Sequence, residues 1–484
     1  MNIKLSLHVV GKFLKFFGLL QLLPAICSII YRDTDWYIFL LTAFTTSVLG
    51  LVVEKATKET KQAKELYRKD AFFIALSCWI AASLFGSLPY LFLPSVFSPI
   101  DALFESISGY TTTGATIISD IEVLPRGLLF YRSFTQWLGG MGIILLAIAV
   151  LPKLSVGGMQ LVNLEAPGPT AERLTPQIAD TAKKLWFTYV SLSALLTVIL
   201  YLTGLSAFES ITTTFSTIST GGFSIYNASI GAYDSSMVEF IVIIFMIIGG
   251  TNFFLLYLFF TGKFSKLLKS SEFKFFITLI LIFILVVSLD LWLRQYPEYL
   301  EALKYASFQV VSMLTGTGFS STDFGLWPKF AVFALLTVMF IGGCAGSTTG
   351  SIKVIRILVL IKKSVREINH LIMPKAVLPV RIDKKAVSEE VISSVTSFFL
   401  LFIVILVISV LVILSVEDIS ILGALSACTA TLGNVGPGFE EVGAAYHYKF
   451  LSAFSKLWLC FLMLLGRLEI YTVLVFFTPL FWRK

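Results

Sequence analysis

The sequence predicts an all-α integral membrane protein in which four span–short helix–span repeats, all running in parallel, surround one central axis behind an N-terminal helical hairpin. Three observations carry that prediction. Of 484 residues, 56% are hydrophobic and 14% charged, close to half the charged share of an ordinary soluble domain. Apolar runs of roughly 18 residues or more, the length a helix needs to cross a bilayer, recur from end to end. Four short segments of small residues also recur, at intervals of about a hundred residues: Thr111-Thr112-Thr113-Gly114, Ser219-Thr220-Gly221-Gly222, Thr315-Gly316-Thr317-Gly318 and Gly433-Asn434-Val435-Gly436.

Residues near 13–31 and 37–53 read as two spans joined by the outer turn Arg32-Asp33-Thr34-Asp35. With the basic stretch that follows they make an N-terminal unit, residues 1–70. The first repeat, 71–152, places spans near 71–93 and 127–151 around a short helix at 99–111. The second, 153–262, has spans near 183–204 and 237–261 and a short helix at 207–219. The third, 263–388, has spans near 273–293 and 329–362, a short helix at 299–314 and a basic connection at its end. The fourth, 389–484, uses 391–415, 418–431 and 448–478. A helix of about 10–14 residues cannot cross roughly 30 Å of hydrocarbon, so the short helices are expected to be re-entrant. Two spans plus eight make about ten, with both termini on one face.

Aligning the repeats without gaps on Gly114, Gly222, Gly318 and Gly436 puts Ser108, Ser216 and Ser312 at one position, with Ala430 in the fourth repeat. The match of Phe104-Glu105-Ser106 to Phe208-Glu209-Ser210 needs a four-residue shift out of that register and is read as coincidence.

The net charge of +7 does not mark a nucleic-acid binder, because its distribution follows the membrane. Basic clusters at Lys55–Lys69, Lys263–Lys274 and Lys353–Lys385 fall in connections on one side, the positive-inside pattern, as do Lys4, Lys12, Lys15, Arg483 and Lys484. The opposite connections hold Asp33, Asp35, Asp120, Glu122, Asp234, Asp323, Glu417, Asp418, Glu440 and Glu441, which predicts an acidic outer vestibule able to concentrate cations. Five cysteines are scattered singly among apolar residues and read as small buried hydrophobes. Three histidines are too dispersed for a metal site, and no HExxH, Walker A or GxSxG context occurs, which disfavours a membrane enzyme.

Glycine readily takes positive φ and has no Cβ, so four such segments can bring bare backbone around a dehydrated cation, with threonine hydroxyls as further ligands. Short helices ending there direct their C-terminal dipoles at the same point. The second span of the third repeat is interrupted by Gly342-Gly343-Cys344-Ala345-Gly346-Ser347-Thr348-Thr349-Gly350-Ser351. Broken backbone at membrane depth is viable only inside protein or along a water-filled cavity, so this stretch is expected to form a flexible barrier beneath the ring. Arg467 and Glu469 lie inside the last apolar span, where an ionisable group faces a pore or a partner. Gly342, Gly343, Gly346, Gly350 and Arg467 are therefore the expected gate, with Glu469 moderating the arginine's charge.

This combination of four filter-like glycines, one broken span and a late arginine resembles the Trk/Ktr/HKT superfamily of potassium transporters. The N-terminal hairpin and Trp137-Leu138-Gly139-Gly140-Met141-Gly142 are most similar to its bacterial TrkH-type branch. The resemblance implies K+ as the transported ion, a pseudo-fourfold filter within one chain, and a homodimer in the lipid of the bacterial inner membrane with cytoplasmic termini. It also implies a cytosolic TrkA-type ring that binds NAD(H) or adenine nucleotides. No dinucleotide fingerprint occurs here, so no nucleotide site is expected in this chain. In the family, glycine at all four filter positions goes with K+ preference and serine at the first with Na+ permeation, which puts Gly114 on the K+ side. The fourth segment lacks the threonines of the others, so the ring is expected to depart from fourfold symmetry. The rival expectation is a carrier coupled to H+ or Na+ with alternating access, which predicts inverted rather than parallel repeats.

Overall fold

Apolar stretches with polar, capping ends become the spans of the computed structural model, which describes residues 2–57, 68–92, 98–142 and 178–483. Six helices among these are each long and apolar enough to cross a bilayer: Ile3–Tyr31, Trp36–Ala56, Lys69–Phe92, Ala182–Leu202, Ser271–Arg294 and Glu389–Val416. Two further spans are bent pairs, Ser236–Gly249 with Phe253–Phe260 at 106° and Ala453–Arg467 with Ile470–Phe477 at 116°. Arg126–Gly140 and the interrupted pair Lys329–Met339 and Val354–Ile372 fill the last two span positions. The end of the span expected at 127–151, the boundary at 152/153 and Lys58, Lys61 and Lys64 lie outside the described residues.

The first helix begins at Ile3, ahead of the expected start near residue 13. Its basic residues do not stop it, because Lys15 Nζ meets Glu54 at 2.8 Å and the aliphatic stems of such side chains can lie along apolar surface. The hairpin is closed by backbone contact: a Cβ on Gly50 would lie 2.5 Å from Lys15 N, and one on Gly11 2.7 Å from Glu54 N. Small residues let membrane helices approach in this way. Gly50→Leu is expected to lower stability in detergent by roughly 2–3 kcal/mol, through overpacking. Its thermal unfolding midpoint checks this, and an unshifted midpoint would refute the contact.

The short helices are Pro99–Tyr110, Ala207–Ile218, Tyr299–Leu314 and Ile421–Leu432, close to their expected bounds. Three start on a serine N-cap that accepts from the backbone three residues on: Ser98 from Asp101 N, Ser206 from Glu209 N and Ser420 from Gly423 N. Glu209 completes a capping box with Ser206, whereas Glu105 is buried deep in the first short helix. The two Phe-Glu-Ser triplets thus serve different ends.

Two expectations about the second spans are corrected. The spans read as continuous at 237–261 and 448–478 are broken, as the third repeat's is. In the second repeat the chain restarts because the Asn252 side chain accepts from Phe254 N and Leu255 N, a new N-cap directly after Gly249-Gly250-Thr251. In the fourth, Glu469 takes φ 59° between the two helices. Hydropathy hides both breaks, since the residues on either side remain apolar. Outside the helices, Arg381–Ile382 pairs antiparallel with Lys385–Ala386 across Asp383 and Lys384, both at positive φ, the geometry of a tight two-residue hairpin.

Candidate functional site

Each short helix ends in the same backbone motif. Thr113 N bonds to Ser108 O at 2.9 Å, and Gly221 N to Ser216 O, Thr317 N to Ser312 O and Val435 N to Ala430 O at 2.8 Å each. The position aligned in the sequence therefore plays one backbone role in all four repeats. Thr112, Thr220, Gly316 and Asn434 follow the helix ends at φ 54°, 52°, 65° and 53°, as the left-handed residue of a Schellman cap. Glycine and asparagine suit that conformation, but a β-branched threonine does not. Such strain persists where the side chain is needed, and both threonines meet the structure beneath them.

The four segments close into a ring. A Cβ on Gly114 would lie 2.2 Å from Gly221 O, one on Gly222 1.9 Å from Thr317 O, one on Gly318 2.0 Å from Val435 O and one on Gly436 2.5 Å from Thr113 O. Each glycine thus packs on the preceding-residue carbonyl of the next segment, and the fourth returns to the first. All four glycines also have positive φ, from 77° to 103°. They line one cavity of about 70 Å³.

The threonine hydroxyls are engaged within their own segments. Thr111 and Thr315 donate back to Ile107 O and Val311 O and pair with Thr113 and Thr317 at 2.7 and 2.8 Å, so these hydroxyls hold backbone in place. The pairing exists in repeats one and three only, because Gly221 and Val435 occupy the matching position in the others. There, other groups hold the ring: Gln136 donates to Gly221 O at 2.6 Å and accepts from Phe223 N at 3.0 Å, and Tyr448 Oη donates to Gly436 O at 2.9 Å. The departure from fourfold symmetry is therefore not confined to the fourth segment.

The outer carboxylates lie around the ring cavity rather than in its wall. None of the ten outer carboxylates lines the cavity at the ring glycines, which is bounded by Arg132, Tyr226, Asn227, Tyr446 and Tyr448 among others. Asp323, Glu417, Asp418, Glu440 and Glu441 instead line a neighbouring cavity of about 650 Å³. Several are committed to loop backbone, as Glu441 is to Ser420 N at 3.1 Å and Glu417 to Ser452 N at 2.9 Å.

Beneath the ring the loop Gly342–Ser351 is tied down rather than loose. Ile341 and Ile352 form a parallel bridge that pinches its ends together. Thr348 Oγ1 contacts Thr220 Oγ1 at 3.1 Å and donates to Gly249 O at 3.1 Å, while Ser351 Oγ donates to Gly433 O at 3.1 Å. Gly343 and Gly350 admit close backbone: a Cβ on either would lie within 2.5 Å of Gly250 O or Gly433 O. Gly342 does the same within the loop, against Gly350 O, and Gly346 sits at φ 72° beside Asn252. Cys344 N donates to Gly250 O at 2.8 Å and Ala345 N to Glu272 Oε1 at 2.6 Å.

Arg467 joins all of these parts. Its guanidinium donates to Thr348 O at 2.7 Å in the loop, Thr112 Oγ1 at 3.2 Å under the ring, and Gly140 O and Gly139 O at 2.8 and 2.5 Å. The last two are carbonyls at the end of Arg126–Gly140, and Gly139 O also accepts from Gly142 N at 3.0 Å. Glu469 does not moderate this charge as expected, since it pairs with Arg356, which also lies over the Phe398 ring at 3.9 Å. Asn434 adds a further tie, donating to Thr113 Oγ1 and Met463 O at 2.9 Å.

Sequence reasoning missed Arg132 and Gln136, which brace the second segment from inside the span 127–151. The signal was present, because an arginine within an apolar span needs a partner.

A ring of four re-entrant helix ends closed within one chain defines a polytopic membrane protein of the pore-loop class. The family model of the TrkH cation transport proteins matches residues 39–484, and the chain belongs to that family. It is 39% identical over 487 residues to the Trk system potassium uptake protein TrkH of Halomonas elongata, and 39% over 488 residues to that of Escherichia coli K12, covering the whole of each. The crystal structure of the potassium transporter TrkH from Vibrio parahaemolyticus superposes over the full length of both chains with a TM-score of 0.89 at 38% identity. This is a transport family, not an enzyme family.

Proposed function

We propose that this chain takes up K+ through a gated, channel-like pore. The observation that carries the reading is the closed ring of Gly114, Gly222, Gly318 and Gly436 on the carbonyls of Gly221, Thr317, Val435 and Thr113. A ring of backbone oxygens replaces the water shell of a cation, and the C-terminal ends of four helices favour positive charge at its centre. Relatives of equal length are potassium uptake proteins by name. The ion enters past Arg132, Tyr226 and Tyr446, loses water at the ring, and reaches the cytoplasm when the Gly342–Ser351 loop moves from beneath it. Arg467 holds that loop closed.

The same reading makes the protein a homodimer in the bacterial inner membrane with cytoplasmic termini. A cytosolic TrkA-type ring that binds NAD(H) or adenine nucleotides moves the loop through the basic cytoplasmic face.

K+ flux into liposomes that contain the purified chain tests this. Flux should follow the electrochemical gradient of K+ under an imposed voltage and need no H+ or Na+ gradient. Uptake that stops when such a gradient is collapsed would establish the coupled carrier instead.

A further inference from the structure

A buried ion pair stands behind one junction of the ring. Glu105 lies three residues before Ser108 on the first short helix, and its carboxylate accepts from Thr116 Oγ1 at 3.0 Å and Ile117 N at 3.1 Å, just past Gly114. Arg132 Nε donates to the same carboxylate at 2.9 Å. Its Nη1 donates to Ser224 O at 3.0 Å, two residues past Gly222, and the guanidinium lies over the Phe223 ring at 4.2 Å. The pair therefore links the first segment to the second. Both side chains are at most 1% exposed, yet Arg132 lines the cavity at the ring glycines. The register position of Glu105 holds Thr213, Gln309 and Ala427 in the other repeats, so no other repeat has a carboxylate there.

Stability alone is a poor account of such a pair, because apolar residues of similar volume do as well or better than two buried charges. A planar guanidinium does supply donors in fixed directions to two partners at once. Its cost at this place is a positive charge beside an entering cation.

We propose that Glu105 is a positioning residue of the conduction path. It cancels the field of Arg132 at the mouth of the ring, and through Arg132 it sets the spacing of the first two segments. This rests on the ring being the K+ pathway.

The test is K+ flux into liposomes containing the full chain, measured against external K+ and with Na+ as competitor. Glu105→Gln leaves the guanidinium uncompensated and is expected to raise the half-saturating K+ concentration about tenfold, the effect of a partly screened unit charge, with a smaller change in maximal flux. The double variant Glu105→Gln/Arg132→Gln should bring half-saturation back towards wild type while lowering K+ over Na+ preference, since the brace is gone. Arg132→Lys keeps the charge but not the fork, and should lower preference while leaving half-saturation within about twofold.

An unchanged half-saturation in Glu105→Gln, or a double variant as impaired as the single one, would overturn the proposal. If Glu105→Gln does not yield folded protein, the other two variants decide, and an unaltered preference in both overturns it. Wild-type vesicles without K+ flux would sink the underlying pore reading as well, whereas normal wild-type flux with unaffected variants sinks only this inference.

Discussion

Replacing Arg467 with Gln is expected to raise K+ flux through the reconstituted chain, without any partner, by about ten- to a hundredfold, since each ~1.4 kcal/mol off a barrier is worth a factor of ten. Three effects act in one direction. A fixed positive charge beneath the ring disappears. The loop loses the bond from the guanidinium to Thr348 O. The carbonyl of Gly140 loses its bond from that guanidinium and becomes attractive to a cation. Arg467→Lys should fall between, because an ammonium keeps the charge but cannot span the same set of acceptors. Shortening the loop between Gly342 and Ser351 should act as Arg467→Gln does. Equal or lower partner-free flux in Arg467→Gln, at an unchanged K+ over Na+ ratio, would remove Arg467 from the gate.

Gly318→Ser is the second large effect, and it acts on selection rather than on gating. Gly318 has φ 77°, and a Cβ there would lie 2.0 Å from Val435 O and 2.7 Å from Pro437 Cδ. The left-handed conformation alone costs an ordinary residue roughly 1–2 kcal/mol. The overlap costs more, because the neighbour is backbone and can move only by widening the ring. A wider ring no longer closes on a dehydrated K+, so both ions pass with part of their water shells and the K+ over Na+ permeability ratio is expected to fall by about tenfold or more, or ~1.4 kcal/mol of lost discrimination. Gly114→Ser should act alike, with its Cβ 2.2 Å from Gly221 O. Gly204 offers the control: its φ is 98° but a Cβ there meets nothing within 4 Å, so Gly204→Ser should leave the ratio intact. An unchanged ratio in both ring variants, measured by reversal potential under K+ and Na+ gradients, would argue against this ring as the selector.

Much of the architecture was legible because it rests on local signals. The Gly/Thr segments mark where the short helices end, which is why the expected bounds lie so near Pro99–Tyr110 and Ala207–Ile218, while Ser98, Ser206 and Ser420 are local start signals that the reading left unused. The gapless register was legible for the same reason, since one Schellman bond per repeat spans only residues close in the chain. The breaks after Gly249 and Arg467 were not, because the apolar runs on both sides let each pair pass as one span by hydropathy despite the few polar residues between them. Partners were the least legible. Glu469 lies beside Arg467 in sequence but pairs with Arg356, and Thr111 and Thr315 turn their hydroxyls onto their own helices.

The sequence by itself determined that the chain is a membrane protein, how many times it approaches the crossing length, where the short helices lie and which glycine ends each segment. Those properties follow from transfer free energies and turn preferences that act over a few contiguous residues. Only the tertiary structure decided that Gly114 packs on Gly221 O and Gly436 on Thr113 O, that the loop is bonded to the second and fourth repeats, and that Arg467 and Arg132 hold the parts they do. Such contacts join backbones and charges remote along the chain, and their distances are set by how the spans pack together, which no neighbouring residue encodes.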